Sequence, residues 1–258
     1  LAPVDTVQVG ERVYIVDKGN SRIQVTNLAG DFVFSFGEEN FFFPQGIASN
    51  GESIMVTNTY RSRIEIYALN GTLLSSFGVR GRKQGELRRP TDLAVDEKSI
   101  YVADTDNNRV QRFGENGSSE NVWGGYTRQE GGLKFPSGIA VNEDAVYVSD
   151  TQNHRVNMYS KEGTFKGSFG SFGAEEEKFK FESKMWIINN TLFIADTNNH
   201  RIKAYDLQGT LLFSFGRFGR EPGEFFMPGG KRVSTRLCLK NTTIPCIAIP
   251  NEVNTTAS

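Results

Sequence analysis

The chain has 258 residues, a formal net charge of −1 and 38% hydrophobic residues, enough for one sizeable core. Near-neutral charge argues against generic nucleic-acid binding, which rests on neutralising phosphates. No stretch approaches the roughly 18 apolar residues of a membrane helix.

Read in chain order, the sequence repeats itself. The first unit opens at Pro3, runs through "ERVYIVD" to Asp17, continues to Arg22 and closes at Phe36 in "SFG". The second carries Pro44, Asn58, Arg63 and Phe77, and the third Pro90, Asp104, Arg109 and Trp123. The fourth carries Pro136, Asp150, Arg155 and Phe169; the fifth has Glu182 in place of proline, then Asp196, Arg201 and Phe215. Pro228 opens a further period. Asp17, Asn58, Asp104, Asp150 and Asp196 are 41, 46, 46 and 46 residues apart. A period in the forties with internal register signals a repeat architecture. Each unit divides into four short alternating or β-branched runs bounded by Gly, Asn or Asp, the signature of strands and hairpins. Helical spacing of apolar residues is absent over any useful length. Four antiparallel strands per unit, repeated radially, predict an all-β fold, a β-propeller. The aromatic closing each fourth strand is expected to fill the space between adjacent sheets.

The pattern "ADTNNHRIKAYDLQGTLLFSFG" resembles the NHL repeat, and "GVRGRKQGELRRP", "GGYTRQEGGLKFP" and "GRFGREPGEFFMP" are similar to the Gly-rich segments joining NHL blades. The resemblance covers residues 3–230 and implies a six-bladed β-propeller. Residues 1–258 then form one domain, with five clear four-stranded blades. Residues 228–258 make an incomplete sixth at the C-terminus: a terminal hairpin from "KRVSTRLCL" and "TIPCIAI", then a tail. An unclosed blade exposes unpaired backbone groups, so another copy of the chain could complete the edge by strand addition.

Repetition also decides what the near-identical Asn-His-Arg segments do. The chain has two histidines, His154 and His200, at equivalent places in neighbouring units. Each is expected to hydrogen-bond across its turn to the preceding acid. The pairs Asp17–Arg22, Asp104–Arg109, Asp150–Arg155 and Asp196–Arg201, with Arg63 in the second unit, are read as blade-internal scaffolding. A single active site does not need five copies. Catalytic zinc takes three protein ligands, and the peptidyl-hydroxyglycine lyases, an NHL-like enzyme group, use a His-rich zinc site that this sequence lacks. Oxygen-rich "DTDNN" (104–108) has calcium-ligand chemistry, yet its composition is that of an ordinary turn. No metal, other cofactor or catalytic residue is therefore assigned, and an enzyme is not expected.

Cys238 and Cys246 flank a predicted turn, within reach of a disulfide, which suggests an oxidising compartment. Sequons occur at Asn70, Asn116, Asn189, Asn241 and Asn254, so N-linked glycans are expected. The chain starts at Leu1 without an initiator Met, consistent with a removed signal peptide or a fragment. These features favour a secreted protein. Recognition on propellers lies in surface loops. Tyr60 and Arg61 break the Asn/Asp pattern of the central turns with residue types enriched at interfaces. Arg80, Arg82 and Lys83 form a basic connector. The expected function is an extracellular, non-enzymatic module that binds protein or assembles with itself. The competing readings are a metal-dependent propeller enzyme, a lyase or hydrolase at the channel mouth, and an RNA-binding NHL propeller.

Overall fold

The computed structural model describes residues 3–228, 235–237 and 247–249. Five four-stranded antiparallel meanders follow one another as blades. Blade 1 is β1 (Thr6–Val9), β2 (Arg12–Asp17), β3 (Arg22–Asn27) and β4 (Phe32–Phe36); blade 2 is β5 (Pro44–Ser49), β6 (Ser53–Asn58), β7 (Arg63–Ala68) and β8 (Leu73–Phe77). Blade 3 is β9 (Asp92–Val95), β10 (Ser99–Asp104), β11 (Arg109–Gly114) and β12 (Ser119–Gly124); blade 4 is β13 (Ile139–Val141), β14 (Val146–Asp150), β15 (Arg155–Tyr159) and β16 (Phe165–Phe169). Blade 5 is β17 (Glu182–Ile188), β18 (Thr191–Asp196), β19 (Arg201–Tyr205) and β20 (Leu211–Phe215). The first strands of successive blades lie side by side and line the axis.

Burial follows from stacking sheet on sheet. β10 is buried along its whole length because a blade covers each of its faces, whereas β8, an outer strand, is mostly exposed. The aromatic that closes each of blades 1 to 4 does what its position predicts: it reaches the next blade. Phe36 packs on Tyr67 at 4.8 Å, Phe77 on Phe113 at 4.7 Å, Trp123 on Tyr159 at 6.1 Å and Phe169 on Tyr205 at 4.6 Å. Each such pair contributes about 0.5–1.5 kcal/mol beyond the area it buries. Gly71 shows how tight the seam is. Its φ is +86°, and a Cβ there would lie 2.9 Å from the Phe36 ring, so both backbone and space demand glycine.

The two ends of the series differ from its middle. In blades 2 to 5 the two positions facing the previous blade are fully buried (Ile54 and Val56 in β6, for example). Their counterparts in blade 1, Val13 and Ile15, are only half-buried. At the other end, Trp186 stacks on Phe193 at 5.8 Å and Phe213 meets Phe193 edge-on at 6.4 Å, on a face that no further four-stranded blade covers among the described residues. After the fifth blade, β21 (Thr235–Leu237) pairs antiparallel with β22 (Ile247–Ile249) as a separate two-stranded sheet. Five blades are thus established, and the described residues show no incomplete sixth. Cys238, Cys246, Asn241 and Asn254, expected in it, lie outside the described residues.

Candidate functional site

Blades 1, 3, 4 and 5 carry a buried carboxylate where the second strand ends. Asp17–Arg22 measures 3.0 Å, Asp104–Arg109 2.7 Å, Asp150–Arg155 2.8 Å and Asp196–Arg201 2.8 Å. Three of these arginines also donate onward: Arg109 reaches the carbonyls of Arg82 and Lys83, Arg155 that of Gln129 and Arg201 that of Glu175. In blades 3 to 5 the pairs therefore fasten the blade to the connector entering it. Burial pushes Asp104 and Asp150 above the ordinary carboxylate range. For Asp17, burial raises the pKa less than the bonds from Asn20, Arg22 and Gln24 lower it.

Blade 2 keeps this design by moving the charge. Asn58 replaces the acid, and Glu65, seven residues on, supplies a carboxylate that Arg63 meets at 2.6 Å. Asn58 donates to the same Glu65 at 2.8 Å. The position seven residues after each anchor thus holds Gln24, Glu65, Gln111, Asn157 and Lys203, each buried or half-buried at the node.

The histidines are corrected in detail. Asn153 and Asn199, not the histidines, bond the preceding acids, at 2.8–3.0 Å. His154 and His200 sit at φ +58° and +57°, where Ser21, Ser62 and Asn108 also adopt left-handed backbone. His154 Nδ1 accepts the amide of Phe181 at 3.4 Å and His200 Nδ1 that of Met227 at 3.1 Å. Asn108 accepts from Phe135 in the same way at 2.9 Å. An accepting Nδ1 means a neutral ring protonated at Nε2, and burial lowers the pKa of His154 accordingly. The motif seats the connector that follows it.

The "DTDNN" turn is likewise internally committed. Asp104 accepts from the Arg88 amide, Asn107, Arg109 and Gln111. Its oxygens are already occupied by donors of the fold, so the calcium reading gains no support from this turn.

In a meander, the turns between second and third strands and the connectors between blades share one face. Exposed aromatic residues collect there. Phe42, Tyr60, Tyr126, Phe135, Phe172, Phe181, Phe218 and Phe226 all belong to these segments; Phe32 is the exposed aromatic that does not. Tyr60 lies parallel to Phe43 at 4.7 Å and meets Phe42 edge-on at 5.2 Å. Lys18 Nζ stands 4.0 Å above Phe43, and the Arg89 guanidinium 5.5 Å from Tyr60. Arg61, Arg80, Arg82 and Lys83 are exposed on the same face. Farther round, His154 lies between Phe172 and Phe181 at 4.8 and 5.0 Å, and His200 beside Phe218 at 5.0 Å. The structure thus brings Tyr60 and Arg61 into an aromatic rim that the sequence reading had seen only as two unusual residues.

The opposite face has another character. Its turns hold Glu11, Glu52, Glu97, Glu115, Glu143 and Asp144, all exposed. The sequon residues Asn70, Asn116 and Asn189 are exposed in turns on this same side.

At the axis lies a cluster that the sequence reading missed. Lys184, on β17, bonds Asp5 Oδ2 at 2.6 Å and Asp92 Oδ1 at 2.5 Å. Asp5 also accepts the Ile47 amide and Asp92 the Ile139 amide, each at 3.1 Å. Blades 1, 3 and 5 supply the charges, and blades 2 and 4 donate backbone N–H groups. One ammonium faces two carboxylates. Burial lowers the Lys184 pKa less than Asp5 and Asp92 together raise it. Asp92 is pushed up to about 6 by burial, with Asp5 adding to the rise and Lys184 opposing it.

Blade 5 buries two further ionisable groups. Glu182 takes the place of the repeat proline, is fully buried, and neither carboxyl oxygen has a hydrogen-bond partner. Burial, then the charges of Asp150 and Asp196, raise its pKa well above the ordinary value. Lys203 donates to the Lys178 carbonyl at 2.5 Å and lies 3.6 Å from Asp196; burial lowers its pKa to about 8. Among the described residues, no group of three or more His, Cys, Asp or Glu side chains is placed to hold a metal ion.

Comparison with known proteins agrees with this geometry. A family model for the NHL repeat matches residues 87–113 and 133–157. No curated protein matches the chain. Among solved structures, a chain from a nidogen/laminin complex has a TM-score of 0.65 at 17% identity, covering 80% of this chain and 75% of that one. A catalytically inactive virginiamycin B lyase from Staphylococcus aureus, with quinupristin, has a TM-score of 0.63 at 15% identity, covering 81% and 68%. A streptogramin B lyase also has 0.63 at 15% identity, covering 85% and 70%. At these identities the likeness is one of fold. The chain is a β-propeller that carries NHL repeats over residues 87–113 and 133–157.

Proposed function

We propose that this propeller is an extracellular, non-enzymatic module that binds a partner protein through its aromatic rim. The observation carrying this reading is the segregation of the two faces. Exposed aromatics gather in the connectors and central turns, while sequons and acidic turns occupy the other side. Rings held in place by one another lose little side-chain freedom on binding, which favours them as contact residues. Glycans at Asn70, Asn116 and Asn189 would leave the rim clear. The similar fold in the nidogen/laminin complex is a precedent for such a propeller within a protein assembly. Cys238 and Cys246 are chain neighbours of Leu237 and Ile247, which pair across β21 and β22, and this supports the expected disulfide.

The test is photo-crosslinking from a secreting, glycosylating host. A crosslinker at Arg61 should yield a discrete protein adduct, and one at Glu143, on the opposite face, none. Equal adducts from both positions, or none from Arg61, would overturn the reading. Intact-mass spectra should show glycan mass that falls by one glycan with each of Asn70→Gln and Asn116→Gln.

The residues from 228 onward are read as contributing a sixth blade. The half-exposed Val13 and Ile15 at one end and the Trp186–Phe193–Phe213 face at the other support this. So does the sequence two residues after each repeat proline or its replacement: Asp5, Gly46, Asp92, Gly138 and Lys184 continue with Gly230. Deleting 229–258 should deprotect β17–β20 in hydrogen exchange; unchanged protection would refute a sixth blade.

A further inference from the structure

Resting on the rim reading, we infer that the sector over blades 1 to 3 takes an acidic partner segment that carries apolar side chains. Two properties coincide there. Tyr60 and Phe42 are 42% and 56% exposed, so a patch of rings is open to solvent. Lys18 and Arg89 stand over its rings and Arg61 follows Tyr60 in the chain. Asp106 is taken up by Arg88 and Arg89 at 3.9 and 3.6 Å, and the exposed Glu38 and Glu39 of the connector that carries Phe42 are outnumbered by Lys18, Arg61, Arg80, Arg82, Lys83 and Arg89 on this sector. Cationic groups ring an apolar floor, within a chain whose net charge is −1.

Charge complementarity then selects the occupant. An acidic segment is drawn to this sector and repelled by the opposite face, with its row of exposed Glu and Asp turns, so the field orients the encounter. Apolar side chains on the same segment would cover the outer face of Tyr60 and the edge of Phe42. A nucleic acid fits less well. Tyr60 already has one ring face against Phe43, and the cations near it are few compared with the run of phosphate contacts such binding uses. The acidic face of a second copy has the right charge but carries the sequon turns.

The experiment selects a displayed library of random twelve-residue peptides on the full-length glycosylated protein, then measures synthetic versions of the recovered peptides. Circular dichroism melts confirm that every variant folds. Recovered peptides should be net acidic with at least one large apolar residue. Their Kd should rise tenfold or more with Arg89→Glu and with Tyr60→Ser, and rise again between about 0.05 and 0.5 M salt as screening grows. Phe226→Ser, on the far side of the rim, should leave it unchanged. Neutral or basic peptides, or acidic peptides indifferent to Arg89→Glu, overturn the inference. Loss of binding with Phe226→Ser alone overturns it while leaving the rim reading intact; indifference to all three substitutions overturns both. A single-stranded RNA that displaces the peptides with higher affinity, or self-association abolished by Arg89→Glu, would replace the acidic partner with a nucleic acid or a second copy.

Discussion

Replacing Lys184 with methionine tests the axial cluster directly. Methionine keeps the length and apolar stem of lysine and removes only the ammonium that joins Asp5 and Asp92. With side-chain exposures of 15% for Lys184, 21% for Asp5 and 5% for Asp92, the pairs are largely shielded from solvent. Removing one partner of a buried ion pair costs about 3–5 kcal/mol, because the other charge stays buried and uncompensated. The partial exposure of Asp5 places the expected loss near 3 kcal/mol at pH 7. Protonation is the available relief. Neutralising an aspartate with the ordinary pKa of 3.8 costs about 1.4 kcal/mol per pH unit above that value. At pH 5 that relief costs about 1.6 kcal/mol, so the loss should be smaller there than at pH 7. Urea unfolding of wild type and Lys184→Met at pH 7 and pH 5 reads both numbers. A triple variant, Asp5→Asn with Asp92→Asn and Lys184→Met, should recover much of the loss, since no buried charge is left unpaired. A loss below about 1 kcal/mol at pH 7, or an equal loss at both pH values, would refute the claim that this cluster holds the blades at the axis.

Three other outcomes follow from the buried groups. Glu182 has a folded pKa above its unfolded value, so its neutral form contributes stability that is lost as pH rises through the folded pKa. Glu182→Gln should match wild type in mildly acidic buffer and become progressively more stable than it at higher pH; parallel urea midpoints would contradict this. Lys203, lowered to about 8 from 10.5, destabilises the fold at neutral pH, and the difference fades between those two values. Lys203→Gln copies Gln24 and Gln111, which bond their acids at 2.6 and 3.0 Å, and should add about 1–3 kcal/mol at pH 7 with a shrinking gain above pH 8. His154→Asn should melt like wild type because Asn108 does the same work. His154→Ala loses the acceptor for Phe181 and strains alanine in left-handed backbone, at about 1–3 kcal/mol; equal melting of the two variants would show that the bond is unimportant.

The repeat was legible because every blade repeats the same local demands. An apolar second strand, an acid at its end in four of the five blades, an arginine five residues later and a closing aromatic recur in phase. The histidine bond was misassigned for a physical reason. In sequence the nearest partner is the preceding acid, but the left-handed backbone at His154 presents the ring to the connector of the next blade, 27 residues away. Glu65 was overlooked because a missing acid at Asn58 looks like a loss until the third strand lies beside the second. The axial cluster had a sequence signal that was not read. Asp5, Gly46, Asp92, Gly138 and Lys184 stand at the same place in five units, charge alternating with glycine.

That alternation has a steric cause. First strands crowd together at the axis, where there is room for a side chain from only every second blade. A Cβ on Gly46 would stand 2.7 Å from Asp92 Oδ1, and one on Gly138 1.9 Å from the Ser183 carbonyl oxygen. Glycine in blades 2 and 4 therefore lets Asp5, Asp92 and Lys184 meet, and the amides of Ile47 and Ile139, each just after one of those glycines, complete the carboxylate bonding. With the axis occupied by this cluster, the outer rim is where the chain offers the largest set of exposed rings to a partner. What varies from blade to blade is concentrated there: Lys18, Tyr60 with Arg61, and the residues ahead of each repeat proline. Scaffolding repeats because every blade needs it. On the proposed reading, recognition falls where the repeat is broken on an exposed face.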